Sequence, residues 1–169
     1  AYSKPRDELT VAVVGGRLLS RDEGFRRVVK ALADSNVRVM YVGKLPEGVR
    51  VDEHHEYVPS RRGFLEVLSR AHVGVNHALW GGGSNVKRYD YALAGLVVLS
   101  NPLGARGEVL PAEYVYVDEY DLKAKLGELE ELGVERLEQL GLSNARVVHE
   151  RYEEALARLR ESLARHLSR

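Results

Sequence analysis

The residues able to do chemistry gather at positions 80–95, which read W-G-G-G-S-N-V-K-R-Y-D-Y-A-L-A-G. Three glycines, Gly81, Gly82 and Gly83, run into Ser84 and Asn85, and either polar residue suits the cap of a helix carrying Lys87, Asp90 and Tyr91 on its first turns. Glycine lets backbone approach a ligand closely, and the first N–H groups of a helix are unpaired and partly positive, a receptacle for an anion. Lys87 puts a full positive charge where the helix dipole disfavours it, so a bound anion is its natural compensation. Asp90 follows three residues later on the same face. An ammonium and a carboxylate so spaced suit a ligand with a phosphate at one end and hydroxyls at the other. The same residues also describe a tight β–α connection with a solvated lysine and aspartate, and spacing alone does not separate the two.

Other candidates are thinner. Gly15 and Gly16 close the first apolar run, but Arg17, Leu18 and Leu19 follow, so a G-x-G-x-x-G dinucleotide fingerprint is not completed. His77 falls at the end of an apolar run beside the glycine cluster and is a candidate to line a pocket, whereas alternation turns His72 to the opposite face. No carboxylate stands at ligand spacing from these histidines or from His54 and His55, so no metal is expected. Trp80 is suited either to stacking on a base or sugar or to packing beneath the glycine loop. Arg106 reads as an exposed arginine in reach of the same edge. No acidic pair follows the first strand, which argues against a phosphoacceptor site.

The elements that must position these residues alternate. Strands are predicted at 10–14, 37–42, 54–58, 73–78, 97–100 and 114–117, with helices at 23–33 (capped by Asp22 or Ser20), 61–71 and just after the glycine cluster. Phe25, Val28, Val29 and Leu32 keep helical spacing on the first helix, as do Phe64, Leu65 and Leu68 on the second. Residues 101–111 hold two prolines and two glycines and must be a loop. From Leu122 the pattern is helical, with breaks expected near Gly133 and at 141–143 and one long amphipathic helix over 144–167. Mostly continuous apolar strands alternating with helices predict an α/β fold: a Rossmann-like, doubly wound parallel sheet of about six strands in three layers, plus a long C-terminal helix. Ligands of such sheets sit beyond the carboxyl ends of the strands, where the strand order reverses.

Composition narrows the classes. The 169 residues suit a single domain, and 25 basic against 25 acidic residues leave no field that calls for nucleic acid. There is no cysteine, so neither disulfides nor thiolate chemistry enters. No apolar run reaches membrane-spanning length, and no signal peptide is read ahead of the first strand.

The stretch G-G-G-S-N-V-K-R-Y-D-Y-A-L-A-G-L-V-V-L-S-N-P-L-G-A-R-G resembles the donor-binding half of GT-B fold, group 1 retaining glycosyltransferases, and V-V-G-G-R-L-L-S-R-D-E-G-F is similar to their first strand and loop. S-N-V-K-R-Y-D-Y is also similar in spacing to GumK-type glucuronosyltransferases. The resemblance implies a nucleotide diphosphate sugar as donor, UDP-linked by expectation. It sets Arg17 and Lys87 against the diphosphate as the catalytic cations, and Asp90 near the ribose. Gly16, Gly82, Gly83, Ser84, Asn85 and His77 would line the donor site. It further implies no cofactor or metal, and an acceptor domain supplied in cis or in trans, since one half of such an enzyme accounts for the whole length. The compartment expected is cytoplasmic, at the membrane surface if the acceptor is lipid-linked. Two departures stand out. Of the two acidic positions many of these enzymes carry, Asp90 takes the second and Gly82 the first, so the carboxylate that would hold the donor sugar is missing. Glu23 stands where a lysine usually follows the first-loop arginine. A non-catalytic nucleotide-binding or interaction module on the same sheet, and half of a sugar-nucleotide epimerase, remain the alternatives.

Overall fold

The computed structural model describes residues 8–80, 86–107 and 110–167. Six strands, β1 (Thr10–Gly15), β2 (Arg38–Gly43), β3 (Glu53–His55), β4 (Val73–Asn76), β5 (Val97–Ser100) and β6 (Glu113–Val115), form one sheet in the order β3-β2-β1-β4-β5-β6. Every pairing is parallel. The helices are α1 (Glu23–Ala33), α2 (Arg61–Leu68), α3 (Val86–Leu93), α4 (Glu119–Leu132) and α5 (Val134–Leu167).

Alternation along the central strands divides the core. Val11, Val13, Val39, Val73 and Val75 face Phe25, Val29 and Leu32 of α1 and Leu122, Leu126 and Leu129 of α4. Ala12, Val42 and Val98 face Leu68 of α2, Tyr91 and Ala92 of α3, and Val148 of α5. The fold is therefore the three-layered, doubly wound parallel sheet that the sequence predicts, because strands apolar on both faces need a helical layer on each side.

Caps fix where helices begin. The Asp22 carboxylate accepts from Phe25 N at 2.7 Å and starts α1, and Ser60 Oγ accepts from Gly63 N at 3.0 Å and starts α2. Asp118 accepts from the backbone of Tyr120 and Asp121, so α4 begins at Glu119 rather than at Leu122. The expected break at Gly133 is present, with φ +77 between α4 and α5. The break expected at 141–143 is absent, and α5 runs on through it. Gly141 is small because α5 crosses the Gly95 carbonyl there: an added Cβ would lie 1.9 Å from that oxygen. Just beyond, Asn144 Nδ2 donates to Leu96 O and Ala112 O while its Oδ1 accepts from Ala112 N, clasping the amino ends of β5 and β6.

The edge strands also shift. β3 occupies 53–55 instead of 54–58, since Asp52 accepts from Val39 N at 2.7 Å and sets the ladder one residue earlier. β6 likewise begins at Glu113 rather than Tyr114. α2 ends at Leu68, where Ser69 Oγ donates back to Glu66 O.

Candidate functional site

The strand order places β1 and β4 side by side while the chain leaves them toward opposite edges, which makes their carboxyl ends the switch point of the sheet. Their ladder ends at the Val13–Val75 pair. Beyond it, the Tyr91 hydroxyl accepts from Val14 N at 2.8 Å and donates to Val75 O at 3.1 Å, so a side chain of α3 bridges the parting strands. Gly74 makes room for that ring, which an added Cβ would meet at 2.3 Å. By this bridge α3, with Lys87 in its first turn, is fixed to the crevice.

His77 lies one residue past β4. Its Nδ1 is 2.9 Å from Tyr116 Oη, its ring stacks on Tyr116 at 6.2 Å, and Phe25 tilts against it at 5.6 Å. Burial pulls the imidazole below its ordinary pKa; the Asp22 carboxylate works against this and the Lys87 charge adds to it. His77 is thus a neutral imidazole at pH 7, within the electrostatic reach of Lys87. Lys87 itself is half-buried, and burial lowers its pKa too. Among the described residues its ammonium has no ion pair or hydrogen bond.

The other residues singled out by sequence divide. Gly16 is exposed with open space before its Cα, and Arg17 beside it is exposed in the loop after β1, its carbonyl accepting from Ser20 Oγ. Both stand at the same carboxyl edge as His77 and Lys87. Gly82, Gly83, Ser84 and Asn85 lie outside the described residues. Asp90 is buried at 5% exposure and paired with Arg61 of α2 at 2.5 Å. Its carboxylate is already a tie between two helices. Trp80 is 61% exposed, and the loop it leads into lies outside the described residues; Arg106 is exposed.

Sequence reasoning passed over the residue beside Lys87. Arg88 is fully buried, with Nε and Nη2 each 2.5 Å from an oxygen of Glu113, while Nη1 reaches Arg106 O at 3.4 Å. Glu113 Oε1 also accepts from Ser100 Oγ, and Asn76 Nδ2 donates to Ser100 Oγ and Gly104 O. Asn101 completes the web: its Oδ1 accepts from Ala78 N and Gly104 N, and its Nδ2 donates to Ala78 O. A buried polar network therefore joins α3, the ends of β4 and β5, β6 and the loop that carries Arg106. Nothing in the local pattern announces an arginine whose partner is 25 residues away. The asparagines at strand ends were the only signal.

Chemically, this edge offers an ammonium without a counter-charge among the described residues, a neutral imidazole, an exposed arginine on its loop and aromatic walls. Such groups bind and stabilise negative charge. Among the described residues no three His, Cys, Asp or Glu gather as metal ligands. No helix among them is long and apolar enough to cross a membrane.

No family model and no curated protein matches the chain. Solved structures do. The chain is similar to the spinosyn forosaminyltransferase SpnP, at 24% identity and a TM-score of 0.59 over 96% of this chain and 45% of that one. It is similar to the catalytic domain of cholesterol-alpha-glucosyltransferase from Helicobacter pylori, at 17% identity and a TM-score of 0.60 over 85% of this chain and 98% of that one. A third is a trehalose-6-phosphate structure from E. coli bound with UDP-2-fluoro glucose, at 12% identity and a TM-score of 0.58 over 85% and 41%. The chain spans less than half the length of the first and third. At these identities the likeness establishes the fold alone: a Rossmann-like α/β domain of the kind these glycosyltransferase structures contain.

Proposed function

We propose that this domain is the donor-binding half of a GT-B glycosyltransferase and holds a nucleotide diphosphate sugar at the β1–β4 switch point, with the sugar passing to an acceptor. One observation carries the reading. Lys87 is a half-buried cation at the start of a helix, destabilised by burial and by the helix dipole, with no counter-charge among the described residues. A diphosphate supplies that charge. Lys87 and Arg17 would neutralise the nucleoside diphosphate as it leaves, the step at which negative charge develops and preorganised cations act most strongly. Side-chain cations suffice for this role, so the reading needs no metal.

Gly16, Gly82, Gly83, Ser84 and Asn85 are proposed to present backbone to the phosphates, and neutral His77 to donate or accept one hydrogen bond at the pocket floor. The ribose contact proposed for Asp90 requires its carboxylate to accept from the sugar while Arg61, itself 55% exposed, holds it from the other side. The GumK-like spacing of Lys87 and Asp90 supports that arrangement. UDP is the first nucleotide to try, because one similar structure carries a UDP sugar. Leu18, Trp80, Val86 and Val117 are large apolar residues left exposed on segments at this same edge, as a face meeting an acceptor domain, in cis or in trans, would be. The cytoplasmic placement, at the membrane surface for a lipid-linked acceptor, rests on the resemblance.

The engaged Asp90 and the glycine at position 82 favour one alternative, a nucleotide-binding module on the same sheet without transfer chemistry. A melting panel with UDP-, GDP- and ADP-sugars tests the shared premise, since a ligand at 100 times its Kd adds about 2.7 kcal/mol of stability. At least one sugar nucleotide should raise the melting temperature, and none doing so would contradict donor binding. Sugar release or transfer by the ligand-bound protein then separates enzyme from module.

A further inference from the structure

Among the described residues, no other helix or strand covers the distal half of α5. From Tyr152 onward nearly every described side chain is exposed, yet the sequence is not polar all round. Tyr152, Leu156, Leu159 and Leu163 recur at intervals of four, three and four, and three of them are 59%, 55% and 53% exposed. That spacing is the a/d seam of a two-stranded helical pairing, and a surface helix gains nothing from such a stripe unless another helix covers it. At its inner end the stripe is continuous with a groove of about 590 Å³ between α2, α3 and α5, floored by Leu65, Tyr89, Leu93, Val148 and Tyr152 itself.

The charges beside the seam select the occupant. With Leu156 and Leu163 at a positions and Tyr152 and Leu159 at d, the flanking e positions are Glu153 and Arg160, and the g positions are Ala155 and Ser162. Elsewhere on the arm Arg158 pairs with Glu154 within the helix, at 3.8 Å. Glu153 and Arg160 are exposed and form no ion pair among the described residues. Antiparallel helices set e against e, so a second copy of this arm brings Glu153 of each copy opposite Arg160 of the other, twice over by symmetry, with Tyr152 layered on Leu163 and Leu156 on Leu159. A parallel pair would instead set Ala155 against Arg160 and satisfy neither charge.

We infer that the α5 arm is a self-association surface, pairing antiparallel with the α5 arm of a second copy of this chain. The pairing is independent of whether the domain transfers sugar. Sedimentation equilibrium of the full chain, from about 1 to 500 µM, should show a reversible dimer. Leu159→Glu, at an exposed position, should be monomeric with an unchanged circular dichroism spectrum. Glu153→Arg and Arg160→Glu should each raise the dimer dissociation constant about tenfold, and the two together in one chain should restore it. The absence of cysteine permits a direct reading of direction. Mixed Tyr152→Cys and Leu163→Cys chains should cross-link to each other far more than Leu163→Cys to itself. A monomer at every concentration, as expected if another polypeptide segment covers the stripe, would overturn the inference. So would a dimer indifferent to the charge reversal, or one cross-linked 163 to 163.

Discussion

Arg88 and Glu113 meet in a two-pronged ion pair with the guanidinium wholly out of solvent and the carboxylate 5% exposed. The pair fastens the first turn of α3, where Lys87 sits, to the edge strand β6. Breaking one side takes the carboxylate away from a fully buried guanidinium, so Glu113→Ala should lower unfolding free energy by about 3–5 kcal/mol in urea titrations. Replacing both partners together, Arg88→Met with Glu113→Leu, should recover most of the loss, because apolar groups of similar volume need no desolvation of charge. Additive losses in the double variant would mean that the pair is not the coupled unit described.

Lys87 should show the opposite sign. A half-buried cation without a counter-ion among the described residues costs the free domain stability, so Lys87→Met should raise the melting temperature by about 2 °C or more while weakening anion binding. Calorimetric melting of the ligand-free protein checks this. A fall on substitution would show that the ammonium already has a stabilising partner.

His77 predicts how stability depends on acidity. Burial holds its folded pKa below the unfolded value, so the unfolded chain binds the extra proton between those two values. Stability from this group is full above the ordinary histidine range, about pH 6.5, and is lost as pH falls from there through the depressed folded value. In His77→Gln that part of the stability–pH curve should flatten. The Tyr116 contact and the Phe25 ring supply the buried setting, so Phe25→Ala should move the midpoint back toward the ordinary value.

Two glycines on neighbouring helices should respond in opposite directions. Gly141→Ala drives a methyl into the Gly95 carbonyl and should destabilise by about 1–3 kcal/mol. Gly127, on α4, has open space where its Cβ would be, so Gly127→Ala should stabilise by about 0.5–1 kcal/mol through helix propensity. Equal effects from both would mean that α5 does not cross β5 as closely as described.

The central strands and α1 were legible in the sequence because their signals are local: β-branched runs buried on both faces, a cap at Asp22 and apolar residues at helical spacing. The switch-point edge followed from topology, and it brings Gly16, Arg17, His77 and Lys87 to one side of the sheet. What was not legible depends on distant partners. Gly141 looked like a helix break because glycine usually is one, whereas its reason is the carbonyl of Gly95 passing beneath. Asp90 looked like an open acceptor, and only the placement of α2 brings Arg61 onto it. Arg88 had no signature in its local pattern, since Glu113 reaches the helix from the edge strand β6.

The most direct measurement is calorimetric titration of UDP, GDP and ADP into the protein and into Lys87→Ala. The donor-domain account predicts saturable binding of at least one diphosphate to the unmodified protein. It also predicts a loss of about 1.5–3 kcal/mol in the variant, the value of a charged hydrogen bond. Binding of equal strength in both, or in neither, would contradict it.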